Sequence, residues 1–447
     1  MSSVTGPHDA NVSLNLHAEL LPNIRQITLY ISCPESRTFD GIQPLIQLSE
    51  SRSAVTVSLP DPFQHVTETI KLPARVSDAT RRTLNLNTAP TAKPPGPGFN
   101  HEYSFRMQIE PNDQALKPRD ELIDYYVPWT AADMSSSTRI RCRVCGTGFL
   151  NTAKTDPSQH NQTQSGPLEW LWKDLPSGNW AEMMDFWHCH KPDPHEDDIE
   201  AQATAALRIE EQNAQIKGYG AASRVEAISG TVLIDVATFL LAETNCMNLK
   251  KGDQEDSTGS NQNAWAKRTL NCEKCNAIVG MDDPSAHGWR LLKANVSLNT
   301  RAWGDVTNSE EWQSHPTEMI IAAQLLELVE RESARRFVVH RGQKCGLLLW
   351  VFNPDLIYSN SGSSHSFNAQ QAMKVLFQEV GDVDKLLAPD LGVPSPLSVE
   401  ELELPSMIYD ALNGALRGSN QMLPSTARRF NEWQVGLLNR FNRDRLP

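Results

Sequence analysis

Apolar and polar residues alternate through the first part of the chain. Leu14 and Leu16 follow Val12 at every second position. The same rhythm recurs at Ile27, Leu29 and Ile31, at Val55, Val57 and Leu59, and at Tyr103, Phe105, Met107 and Ile109. A period of two places these side chains on one face of a strand, so the pattern predicts a sheet buried on one side. Turns rich in Pro, Asp and Ser separate the strands, which predicts an antiparallel β-sandwich-like N-terminal domain. The proline-rich stretch from Thr88 to Phe99 reads as a loop.

The rhythm changes further on. Pro316 opens a segment in which Ile321, Leu325 and Leu328 recur at helical spacing. Two strands are expected next, Phe337 to His340 and Leu347 to Phe352, with Gly342 in the turn between them. Phe430, Trp433, Leu437 and Phe441 are spaced as one face of a C-terminal helix packed in a core. A short helix capped by Ser177 or Asn179 is expected ahead of Met183 and Phe186. The fold class expected is α+β. A β-rich domain over residues 1–119 precedes a mixed α/β domain over 120–447. Polar stretches near 151–166, 195–222 and 250–264 read as mobile insertions.

Composition narrows the function classes. The chain has 447 residues, 39% of them hydrophobic, and a formal net charge of −13. Acidity of this size repels nucleic acid and attracts basic partners, so direct nucleic-acid binding is not expected. The N-terminus shows no secretory signal, and the most apolar stretches, Thr231 to Ala242 and Leu347 to Phe352, are too short to span a bilayer. No phosphate-cradling glycine motif and no GxSxG elbow occurs. The expectation is a protein of a reducing compartment with no membrane contact, where eight cysteines point to metal more than to disulfides.

Four of those cysteines form two pairs, Cys142-Arg143-Val144-Cys145 and Cys272-Glu273-Lys274-Cys275. A CxxC turn aims two thiolates at one cation, and two turns complete a tetrahedral site with no open position, which suits structural zinc. Gly146 and Asn276 follow the two pairs, where a knuckle turns through positive φ. A mixed site using Cys189 with His188 or His190 and one CxxC pair is the alternative, as is no metal at all. Cys189 lies in Trp187-His188-Cys189-His190. It has three readings: a buried structural thiol, a nucleophile activated by a neighbouring imidazole, or a ligand offered to a metal on another protein.

Arg141 to Gly146, Leu175 to Trp180, Trp187 to Pro192 and Cys272 to Cys275 occur in an order that resembles the HECT-like family of ubiquitin-conjugating-enzyme-binding proteins. Leu347 to Asn353, Lys374 to Gln378 and Leu423 to Arg429 continue the resemblance toward the C-terminus. It implies a ubiquitin ligase, a transferase, whose partners are a ubiquitin-conjugating enzyme (E2) and ubiquitin. It also implies association with the zinc-dependent endonuclease of pre-mRNA 3′-end processing, whose active site the Trp-His-Cys-His segment would occupy. Carried over, Cys189 becomes the candidate catalytic or metal-liganding thiol. Trp180, Trp187, His188 and His190 become partner contacts, and Cys142, Cys145, Cys272 and Cys275 the structural zinc ligands. Nuclear and cytoplasmic residence follows from the same resemblance. The match departs at His188, where vertebrate members tend to carry Cys. The acidic insertion from His195 to Ile216 resembles fungal members, and no bilobed architecture of true HECT ligases is visible. A non-enzymatic scaffold, with structural cysteines only, is the competing expectation.

Overall fold

The computed structural model describes residues 14–33, 44–61, 65–80, 101–111, 126–151, 170–175, 225–252, 268–300, 311–342, 344–362, 366–388 and 399–443, with a few isolated positions besides. The first six strands are β1 (Asn15–Leu21), β2 (Gln26–Cys33), β3 (Leu45–Leu48), β4 (Ala54–Ser58), β5 (Thr67–Lys71) and β6 (His101–Gln108). Next come β7 (Arg139–Cys142), β8 (Leu171–Asp174), β9 (Thr231–Ile234), β10 (Thr238–Leu241), β11 (Leu249–Lys251), β12 (Thr269–Cys272), β13 (Ile278–Asp283), β14 (Gly288–Leu292) and β15 (Val296–Asn299). The last part holds α1 (Thr317–Glu332), β16 (Arg336–His340), β17 (Gly346–Asn360), β18 (Phe367–Val380), α2 (Val383–Leu387), β19 (Val399–Glu403), α3 (Ser406–Met422), β20 (Arg429–Phe430) and β21 (Trp433–Asn439). Strands dominate, with few helices, consistent with α+β.

The chain divides into two compact units, and the division is not a single cut near residue 119. The first 121 residues group with 347–380 and 412–442; residues 122–346, 381–411 and 443–447 form the other unit. Strand pairing gives the reason. In the first unit, β1 pairs antiparallel with both β2 and β17, setting Leu16 opposite Ile31 and His17 opposite Asn360. The path runs β20-β21-β18-β17-β1-β2-β6. The expected alternation is present: Leu16, Leu20, Ile27, Leu29 and Ile31 are buried, as are Val55 and Val57 of the separate β3-β4-β5 sheet. Residues of both sheets contribute to one apolar core.

The C-terminal segment departs from expectation. Phe430, Trp433, Leu437 and Phe441 do not share a helix; Trp433–Asn439 is a strand paired with β18, with Leu376 opposite Val435 and Met373 opposite Leu438. The core role holds for Trp433, Leu437 and Phe441, which are buried, and fails for Phe430, which is exposed on β20. Trp433, Val435 and Leu437 also alternate, so the same residues satisfy a period of two. A long β18 supplies the backbone partners that settle the choice.

The second unit is built on the antiparallel β11-β12-β13-β14-β10-β9 run, with β8 added in parallel to β9. The apolar stretch from Thr231 to Ala242 is two strands joined by a turn. The Asp235 carboxylate accepts the amides of Ala237 and Thr238 there, at 2.7 and 3.1 Å. Among the described residues, no helix is long and apolar enough to cross a membrane. The helix predicted after Pro316 forms as α1 and buries Ile321 and Leu325. β16 forms as predicted, Gly342 turns at φ +72°, and β16 runs parallel to β19.

Candidate metal centre

Two strand ends bring the CxxC turns together. Cys142 closes β7, whose partner β15 sets Val296 opposite it; Cys272 closes β12, opposite Leu249 of β11. The two turns repeat one hydrogen-bond scheme. The Gly146 amide donates to the Cys142 carbonyl at 3.0 Å, and the Cys142 amide to the Thr147 carbonyl at 2.8 Å. In the second turn, the Asn276 amide donates to the Cys272 carbonyl at 2.8 Å, and the Cys272 amide to the Ala277 carbonyl at 2.9 Å. Gly146 stands at φ +74° and Asn276 at φ +59°, as the spacing predicts.

The four sulfurs lie within 4.8 Å of one another. Cys142 Sγ is 3.6 Å from Cys275 Sγ, and Cys145 Sγ is 3.5 Å from Cys272 Sγ. A disulfide bond would need about 2.05 Å, and all four are free thiols. Tetrahedral coordination with metal–sulfur bonds of about 2.3 Å places sulfurs about 3.8 Å apart. The donor set therefore fits a soft tetrahedral cation. Burial pushes the Cys142 thiol up to about 12, although the amides of Cys145 and Val144 point at its sulfur. The Thr147 hydroxyl beside Cys145 holds that thiol down, to about 6. A cation held by these four sulfurs would favour thiolate at all four positions.

The first knuckle is anchored from outside. The Arg143 amide donates to the Asn295 carbonyl at 3.1 Å, while its guanidinium Nη1 donates to the carbonyls of Ala294 and His315, each at 2.9 Å. The His315 ring lies 4.5 Å from that of Trp129, which has φ +60°. Lys293, fully buried, donates Nζ to the carbonyls of Pro128 and Trp129 at 2.8 and 3.0 Å. Burial lowers Lys293 to about 7, against the pull of Asp235, Asp174 and Asp133. Burial, with Lys293 nearby, lowers His315 to about 4. The sequence pattern did not single out Arg143, Lys293 or His315. The available signal was a lysine inside the apolar run Leu291-Leu292-Lys293-Ala294.

The structure brings together Cys142, Cys145, Cys272 and Cys275. Trp180, Trp187, His188, Cys189 and His190 lie outside the described residues, as do Ser177, Asn179 and the three expected insertions for most of their length. Cys33 and Cys246 stand apart from the cluster, and burial pushes each up to about 12.

A fold of two units, one of them carrying a four-cysteine cluster, defines the class: a β-rich protein with paired CxxC knuckles that could hold a metal ion. The chain belongs to the family described as HECT-like ubiquitin-conjugating enzyme (E2)-binding, whose model matches residues 19–435. It is similar to an uncharacterized protein of Schizosaccharomyces pombe, 24% identical over 71% of this chain and 78% of that one. An uncharacterized protein of Saccharomyces cerevisiae is 26% identical over 59% of this chain and 61% of its own length. A Homo sapiens protein named as an E3 ubiquitin-protein ligase is 24% identical over 59% of this chain and 66% of its own. No solved structure matches the chain.

Proposed function

We propose that this protein binds a ubiquitin-conjugating enzyme and assists ubiquitin transfer, with zinc as the structural ion of the four-cysteine centre. The family match from residue 19 to 435 carries this reading, since it runs through both units and both knuckles. The ligase name of the human relative agrees with it. The zinc assignment rests on four thiols at tetrahedral spacing with no oxygen donor among them. Such a centre is closed, so it holds the fold and leaves the chemistry to other residues.

Cys189 takes the reactive role in this reading. A thioester would form when the Cys189 thiolate attacks the ubiquitin–E2 thioester carbonyl and the E2 thiolate departs. His188 or His190 would take the thiol proton. The Trp187-His188-Cys189-His190 pattern, with Trp180 nearby in sequence, also supports a second use: the thiolate as a ligand filling the open metal position of the 3′-end-processing endonuclease. Activity in nucleus and cytoplasm accords with both uses.

The test is a single-turnover discharge of ubiquitin-loaded E2, run on non-reducing gels with wild type and Cys189→Ser. A thiol-sensitive ubiquitin adduct, absent from the variant, supports covalent transfer. Faster discharge that survives Cys189→Ser leaves an E2-positioning protein, and no effect on discharge with any E2 refutes the ligase reading. In parallel, Cys189→Ala should lose endonuclease binding at unchanged zinc content if the thiol is a metal ligand.

A further inference from the structure

In the first unit, β20 and β6 stand at opposite ends of the strand path. The segment directly ahead of β20 nevertheless reaches β6. The Ser425 and Thr426 amides donate to the Glu102 carboxylate at 2.6 and 3.1 Å, and the Thr426 hydroxyl at 2.6 Å. The sheet therefore curls around one of its faces. Part of that interior is an apolar cluster with Leu356, Leu376, Leu423, Trp433 and Val435. The part next to Glu102 is polar.

Asn15, His17 and Glu19 alternate along β1, and residues paired across strands share a face. His17 is paired with Tyr30 on one side and Asn360 on the other; Asn15 is paired with Ser32, whose own partner is Glu102. The His17 ring lies 6.2 Å from that of Tyr30 and 5.7 Å from that of Tyr358. His17 and Asn360 are each 2% exposed. His17 Nδ1, Asn360 Oδ1, Asn15 Oδ1 and Ser425 Oγ are all buried with no hydrogen-bond partner. Buried polar atoms are nearly always paired, so a group of orphans on one face calls for a ligand that satisfies them together.

The chemistry of the orphans selects that ligand. Glu19 is ionised against Lys374, and His17 Nε2 lies 3.2 Å from its Oε1. Nε2 of the neutral imidazole therefore carries the proton, and Nδ1 is a bare acceptor. Two amide oxygens and a hydroxyl oxygen complete a set of four acceptors. The nearby charges are uneven: Glu19 is balanced by Lys374, whereas uncharged donors hold Glu102, and Arg106 on the same face of β6 is exposed. A water molecule has two donors for four acceptors and brings lone pairs of its own. A potassium-like ion takes oxygens and leaves the imidazole nitrogen unmet. An ammonium group has N–H donors, no acceptor and a positive charge.

We infer that Asn15, His17, Asn360 and Ser425 hold an ammonium-type cation inside the first unit. Its four N–H groups equal the four acceptors in number. The site is independent of the four-cysteine centre and of the E2-binding reading.

The test follows thermal unfolding of the full chain at constant ionic strength while ammonium chloride replaces tetramethylammonium chloride, a salt of equal charge with no N–H donor. Potassium chloride forms a third series. The expected result is a saturable rise in Tm of about 3 °C or more with ammonium, none with tetramethylammonium and a smaller one with potassium. Asn360→Leu, which replaces an acceptor with an apolar side chain, should lose the rise; Asn15→Leu repeats the comparison. Spectra of wild type in 15N-ammonium give a direct reading that needs no variant, a slowly exchanging N–H signal from a bound ion. Equal melting in the three salts overturns the inference, as does a rise that the variants retain or the lack of a bound-ammonium signal. A potassium rise as large as that with ammonium overturns the N–H donor class.

Discussion

Glu19 sits fully buried on β1, with Lys374 Nζ at 2.7 Å and His17 Nε2 at 3.2 Å. Burial alone raises a carboxyl, yet the lysine charge and the imidazole outweigh it and hold Glu19 at about 2. The folded-state value is depressed. The resulting stability is therefore present above the ordinary value of 4.5 and lost as pH falls through about 2. The shift corresponds to about 3 kcal/mol. Glu19→Gln should flatten the fall in urea midpoint between pH 4.5 and 2. It should also destabilise at neutral pH by about 3–5 kcal/mol, because Lys374 is left charged and unpaired. A variant whose acid slope matches wild type would remove Glu19 as its source. At this scale the sequence was partly legible. The knuckle residues announced themselves by spacing, down to the positive φ of Gly146 and Asn276. Glu19 and Lys293 did not, because each is satisfied by residues distant in the chain, Lys374 for one and the Pro128 and Trp129 carbonyls for the other.

At the scale of elements, β21 shows where periodicity stops deciding. Phe430, Trp433, Leu437 and Phe441 fit a helix and Trp433, Val435 and Leu437 fit a strand. Pairing with β18 resolves the tie, and a glycine lets α3 pack against the result. A Cβ on Gly436 would sit 2.8 Å from the Leu416 side chain, 3.2 Å from the Leu416 carbonyl and 3.2 Å from the Phe377 ring. The missing side chain lets α3 lie close over the strand while Val375 pairs opposite Gly436. Close approach of backbone is the usual reason for a glycine inside a strand. Gly436→Val should therefore cost about 1–3 kcal/mol through overpacking, read as a lowered denaturation midpoint with strand content retained by circular dichroism. On the expected core-packed helix, a valine at a solvent-facing position 436 would instead be tolerated within about 0.5 kcal/mol. The alternating strands β1, β2, β4 and β6 were legible because one buried face writes its own period. The tie at β21 was not, because the deciding contacts come from α3 and β18.

At the scale of the molecule, the first unit is assembled from three pieces of chain, and that has a consequence for residues 1–119. Alone, this segment would keep β1, β2 and β6, but β1 would lose β17 along one whole edge. It would also lose Lys374, leaving Glu19 beside His17 only, and the Ser425 and Thr426 amides that the Glu102 carboxylate accepts at 2.6 and 3.1 Å. An open edge and an uncompensated carboxylate each work against a stable fold. A boundary near 119 looked natural because the run of alternating strands ends before it, and alternation reports local sequence, whereas strand pairing is set by partners more than 200 residues further on. The isolated 1–119 segment should accordingly show no cooperative thermal transition and should be cut rapidly by trypsin, under conditions in which the full chain melts cooperatively. A sigmoidal melt of the short segment would mean that β17, β18 and β21 add to a core that already stands. The three-piece assembly would then be an accretion on a self-sufficient sheet, and the stability of the first unit would no longer depend on the C-terminal third of the chain.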